Sequence, residues 1–156
     1  MSDGAGNGRE EIDLASALGA EHAVSVQCFT VYIPNKDQNG KEIGNQRKWV
    51  LEAMQLLSAI NGGATAMPPV EGGWMNDKGE LIWEHPVVVY SFIRSDEFLK
   101  NLARVREFLH RMGRETNQGE VAVELGDLFF RIRKFDPANG GRSWGRSSTS
   151  PHTSTS

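Results

Sequence analysis

A chain of 156 residues, 38% hydrophobic and 24% charged, suits one globular domain with a proper core and excludes two domains of ordinary size. Its net charge of −3 gives no general attraction to nucleic-acid phosphates or anionic membranes, and no run of about eighteen apolar residues exists to span a bilayer. Residues 1–14 have neither the basic nor the apolar region of a signal peptide, and the single cysteine, Cys28, excludes an intrachain disulfide, so the expected location is the cytoplasm.

Residues 1–8 are mainly Gly, Ser, Asp and Asn, which cannot bury enough apolar surface to offset the entropy of ordering them. A partial helical stripe of Ile12, Leu14, Ala17 and Leu18 follows, so residues 1–22 read as a disordered or short-helical extension. The first strand spans 24–33, rich in β-branched and aromatic residues and stopped by Pro34. Phe29, Val31 and Ile33 share its apolar face, with Cys28, Thr30 and Tyr32 opposite. The Pro, Asn and Gly content of 34–45 predicts a mobile loop.

Val50, Ala53, Met54 and Leu57 recur at three-and-four spacing, predicting a helix over 46–60 that ends at Asn61-Gly62. Residues 61–84 then hold the glycine pairs Gly62-Gly63 and Gly72-Gly73, Pro68-Pro69, and both Trp74 and Trp83. Such a stretch is a shaped connection, with a short strand at 65–67 and a hairpin turning at Asn76-Asp77-Lys78-Gly79. Residues 86–93 are apolar on both faces, Val87, Val89 and Ile93 against Val88, Tyr90 and Phe92, as in a covered central strand.

Ser95 as N-cap, Asp96 and Glu97 in the first turn, and a stripe of Phe98, Leu102, Val105, Leu109 and Met112 predict a helix closed by Gly113. Strands over 120–125 and 128–135 follow, joined at Gly126-Asp127, and residues 136–156 have the composition of a disordered tail. The expected organisation is therefore an α+β domain over 23–135 with disordered tails. Its element order is that of a ferredoxin-like split β-α-β arrangement, with two helices on one face of an antiparallel sheet.

The succession Gly62-Gly63-x-Thr65, Gly72 or Gly73 with Trp74, then Gly79, Glu84 and the valine strand resembles small bacterial proteins of the domain-of-unknown-function 3574 group. The resemblance covers about a fifth of the chain and implies a compact α/β domain without an established activity.

The central stretch supplies the candidate site. Glu71, Trp74 and Glu84 can share one pocket, whereas His85, adjacent to Glu84 on its strand, points to the other face. A carboxylate beside tryptophan and glycine-rich backbone can have a raised pKa and act as a general acid or base, or it can accept amide hydrogen bonds and brace the turn. Tyr32, Tyr90 and Phe92, with Phe129 or Phe130, would form an aromatic sheet face for a partner or a ligand. At the end of the second helix His110 falls off the apolar stripe and reads as solvated, while Arg111 and Arg114 complement the helix dipole, with Arg114 the candidate anion contact.

His22, His85, His110 and His152 lack metal-ligand spacing, no cofactor motif is present, and Cys28 reads as a small core residue. Arg131, Arg133 and Lys134, extended by Arg142, Trp144 and Arg146, form a basic end that reads as a solvated strand face. The reading these features favour is a non-catalytic binding or accessory protein that acts through its sheet face, as a homodimer or with a protein partner. The first alternative is a small-molecule enzyme with acid-base chemistry at Glu84, and the second is nucleic-acid binding through the basic end.

Overall fold

The computed structural model describes residues 13–22, 24 and 26–138. Of the expected extensions over 1–22 and 136–156, residues 1–12 and 139–156, including Arg142, Trp144, Arg146 and His152, lie outside the described residues. A four-residue helix α1 (Leu14–Ala17), capped by the Asp13 carboxylate, precedes the main body.

Five strands form the main sheet: β1 (Cys28–Ile33), β2 (Thr65–Ala66), β5 (Val87–Phe92), β6 (Val121–Leu125) and β7 (Leu128–Ile132), in the spatial order β2-β5-β1-β6-β7. Every neighbouring pair is antiparallel, with Val31 of β1 opposite both Val89 of β5 and Val123 of β6. With helix α2 (Gln46–Asn61) between β1 and β2, and α3 (Ser95–Lys100) and α4 (Leu102–Glu115) between β5 and β6, this is the ferredoxin-like split β-α-β order with β7 added at one edge. Between β2 and β5 the chain makes a separate hairpin, β3 (Gly72–Met75) and β4 (Leu81–Glu84).

The alternation along β1 decides which face is buried. Phe29, Val31 and Ile33 point into the helices and meet Val87, Val89, Val121 and Val123 with Trp49, Val50, Leu57 and Met112. Each such buried aliphatic or aromatic side chain contributes about 1.5–3 kcal/mol, which is what holds the helices on this side. Helix α2 ends where expected, with Gly62 in the left-handed region at φ 91°. Beyond it, the buried Asn61 amide donates to Ser91 Oγ at 3.1 Å and its carbonyl oxygen accepts Arg94 N–H at 3.2 Å, joining the helix end to β5.

Several expectations need correction. The second helix is broken at Asn101, whose side-chain amide donates to the Glu97 carbonyl at 2.8 Å and competes with the backbone ladder. The break rotates the apolar stripe, so Phe108 joins the core while Leu102 stays 45% exposed. Ser95 is the first helical residue and Arg94 stands at the cap, and Gly113 lies inside α4, where its missing Cβ makes room for the Phe135 ring. His110 is buried, since Phe135 and Asp136 fold back across α4 and the Asp136 N–H donates to His110 Nδ1 at 2.8 Å.

The loop 34–45 and the outer face of the sheet also differ from expectation. Asp37 caps its own turn through Asn39 N–H and Lys41 N–H, Gln38 bonds Asn117 at 2.8 Å, and Lys36 Nζ donates to the Trp83 carbonyl at 3.0 Å, so the loop is fastened on two sides. Strand β5 is covered on one face only: Val88 and Tyr90 are half-buried, Phe92 is 58% exposed, and Cys28 on the adjacent strand is half-buried there too. Among the described residues no helix is long and apolar enough to cross a membrane.

Candidate active site

The hairpin β3–β4 is built by its turn. Asn76 Oδ1 accepts the N–H groups of Lys78 and Glu80 at 3.0 and 2.9 Å, and Gly79 takes φ 76°, a conformation that costs glycine nothing. At its base, Gly72 pairs with Glu84, and a Cβ on Gly72 would lie 3.3 Å from Pro86 and 3.4 Å from Glu84 Cγ. Glycine therefore lets the Glu84 side chain pack close to the backbone. The fastened loop 34–45 positions the same strand from the other side, through Lys36 and through His85 N–H, which donates to Asn35 Oδ1 at 2.7 Å.

Between this hairpin and the uncovered sheet face lies a cavity of about 770 Å³. Its aromatic lining is Tyr32 from β1, Trp74 from β3 and Phe129 from β7, and its charged lining is Asp37, Asp77, Glu84, Glu120 and Arg131. Carboxylates thus outnumber cations, and Arg131 is tied through its Nε to Glu120, which receives Arg131 Nε at 2.9 Å and Arg133 Nε at 2.9 Å. Such a lining favours a ligand that is both flat and cationic.

Glu84 is the chemically distinctive group. It is half-buried, and burial pushes its carboxyl above the usual range, with Lys36 working in the opposite direction. Among the described residues its carboxylate accepts no hydrogen bond, so the bracing role for the Gly72-Gly73 turn has no amide donor behind it. A carboxylate kept poorly solvated and without donors beside a cavity has the physical character of a general acid or base. Across the cavity, Tyr32 Oη donates to Glu124 Oε1 at 3.1 Å, and burial followed by Glu124 raises its pKa, which keeps the phenol protonated.

Glu84, Trp74 and Tyr32 are brought together here, while the remaining sequence candidates are placed elsewhere. Glu71 is exposed on the approach to β3 and does not line the cavity. Tyr90 and Phe92 pack edge to face with ring centroids 6.1 Å apart, also outside the lining. Arg114 is on the helical side, donating to the Asp136 carbonyl. The lining also takes Asp37, Asp77 and Glu120, read in the sequence as loop, hairpin-turn and strand-start residues, together with Arg131 of the basic strand face and Phe129 of the aromatic one. A second, more open groove of about 780 Å³ runs between α2 and α4, but its charges answer each other, Arg111 bridging Glu52 and Glu107.

No protein-family model matches the chain and no curated protein matches it in sequence. The fold itself is shared with an enzyme. A phage SAM lyase in complex with S-methyl-5'-thioadenosine superposes with a TM-score of 0.50 at 11% identity, over 73% of this chain and 95% of that one. The phage SAM lyase in its apo state gives a TM-score of 0.52 at 13% identity, over 73% and 94% of the two chains. The expectation of a non-catalytic accessory protein working through a sheet face is corrected by this finding. Both of these solved structures are of an enzyme, and here part of the sheet face is roofed by a hairpin over a cavity.

Proposed function

We propose that this protein is a lyase acting on a sulfonium nucleoside of the S-adenosylmethionine type in the cavity beneath the β3–β4 hairpin, with Glu84 as the base. The observation that carries the reading is the lining: the rings of Trp74, Tyr32 and Phe129 suit a purine and a sulfonium cation, and an excess of carboxylates matches the positive charge. The fold neighbours, one of them holding S-methyl-5'-thioadenosine, support the same substrate class.

The chemistry follows from the leaving group. The bond between sulfur and the four-carbon amino-acid fragment breaks with its electron pair passing to sulfur, which becomes a neutral thioether. Glu84 takes a proton from the carbon next to the broken bond, and that C–H pair becomes a carbon–carbon double bond. The products are S-methyl-5'-thioadenosine, 2-aminobut-3-enoate and protonated Glu84, with no water consumed. Removing the sulfonium charge also removes its attraction to the cavity, which favours release.

Incubation of the purified protein with S-adenosylmethionine tests this, with chromatography for the nucleoside and proton NMR for the fragment. The expected result is S-methyl-5'-thioadenosine together with vinyl resonances. A saturated cyclic ester of the same mass, closed by the fragment's own carboxylate, would sink the base role of Glu84, and no cleavage at all would sink the lyase reading.

A further inference from the structure

We propose that Arg131 is a specificity-determining residue that receives the carboxylate of the substrate's amino-acid end; this rests on the sulfonium-lyase reading. Arg131 is the one cation lining the cavity among the described residues, facing Asp37, Asp77, Glu84 and Glu120. A cavity built for a cation alone has no use for a guanidinium, whereas a ligand carrying both a sulfonium and a carboxylate needs both signs in one space.

The way Arg131 is held supports the assignment. Its Nε donates to both oxygens of Glu120 at 2.9 Å, and Glu120, fixed also by Arg133, is kept ionised because these two arginines hold its carboxyl below the usual range, against a smaller effect of burial. The guanidinium is therefore secured by its inner nitrogen, while its two terminal amino groups make no hydrogen bond among the described residues. A planar fork anchored at one edge presents its remaining donors in fixed geometry, the arrangement suited to a carboxylate. Ala122 pairs with Arg131 and Glu124 with Phe129 across β6–β7, so Arg131 and Phe129 project from the same sheet face. A ligand stacked on Phe129 or Trp74 would then be oriented end for end by Arg131, with its sulfonium left to the Glu84 side.

The arrangement also separates substrate from product, because cleavage leaves the carboxylate on the departing fragment and S-methyl-5'-thioadenosine has nothing for Arg131 to hold. Calorimetric titration with uncleavable thioethers tests the assignment. The probes are S-adenosylhomocysteine, its decarboxylated analogue, which differs only in the carboxylate, and S-methyl-5'-thioadenosine. The wild type is expected to bind S-adenosylhomocysteine about 10- to 100-fold more tightly than the decarboxylated analogue, the size of a charge-assisted bidentate contact. Arg131→Gln should erase that difference by weakening S-adenosylhomocysteine alone, and Arg131→Lys, which keeps the charge without the fork, should retain a fraction of it. Binding of S-methyl-5'-thioadenosine should be the same in all three proteins, which also shows that the variants are folded. Equal affinities of the wild type for both thioethers, or equal losses for both in Arg131→Gln, would overturn the assignment and leave the lyase reading standing. Failure of every probe to bind the wild type would overturn both.

Discussion

Glu84 shows how one side chain can set stability against chemistry. Because burial raises its pKa, the folded state prefers the protonated carboxyl; stability from this group is therefore greatest at low pH and is lost as pH rises through the folded value. At neutral pH the ionised carboxylate is a liability to the fold, and no amide hydrogen bond among the described residues offsets it. Glu84→Gln is accordingly expected to leave the thermal midpoint unchanged or raised, while lowering the lyase rate about 10²- to 10⁴-fold, the usual contribution of a positioned base. The wild-type rate should climb with pH along a limb displaced above the ordinary carboxylate range, and Lys36→Met should move that limb higher still. A midpoint lowered by Glu84→Gln would mean that the carboxylate braces the hairpin after all. The residue types around Glu84 made it legible in the sequence, but not the residues that share its cavity: Asp37, Arg131 and Phe129 lie 45 to 47 residues from it along the chain, and nothing local records that they meet.

At the scale of elements, periodicity carried most of the information and its failures share one cause. Helix α2 falls where three-and-four spacing places it, and β1 keeps the expected alternation and end but begins at Cys28, four residues later than the composition of 24–33 suggests. The second helix departs because Asn101 and Phe135 act on it from outside that pattern, one through a side-chain bond to the backbone and the other by packing across α4 from beyond β7. Gly113 tests this packing. In an exposed helix Gly→Ala would gain about 1 kcal/mol from propensity, but a Cβ here would lie 2.3 Å from a carbon of the Phe135 ring, which must move. Overpacking typically costs about 1–3 kcal/mol, so the net effect of Gly113→Ala should be a loss of up to about 2 kcal/mol in urea unfolding. Pairing it with Phe135→Leu should recover part of that loss, and a Gly113→Ala protein as stable as wild type would show that the ring is not held against the helix.

For the whole molecule, the titrating groups are distributed so that acid weakens the fold in two stages. Burial holds His110 below its ordinary pKa, and Arg106 and Arg114 oppose the raising effect of Asp136. Its Nδ1 accepts the Asp136 N–H, so protonation there must break the contact that closes the chain over α4. A histidine depressed in this way binds more protons unfolded than folded, and stability falls as pH drops from its ordinary value of about 6.5 toward the folded one. The carboxylates follow: Asp136, held low first by Arg106, and Glu120, held low by Arg131 and Arg133, contribute stability above their unfolded values that is lost as pH falls through the folded ones. Glu84 has the opposite sign, contributing stability as pH falls through its raised value. The split order of strands and helices was readable from the element sequence, whereas this coupling was not, because it joins α4 to a segment that composition alone assigned to the tail. Thermal midpoints measured from pH 8 to pH 3 in the Glu84→Gln background should therefore drop once as pH falls below about 6.5 and again below about pH 4. Replacing His110 with Gln should flatten the upper step and leave the lower one in place. An upper step that persists without His110 would assign it to another group and remove the histidine from the closure of the fold.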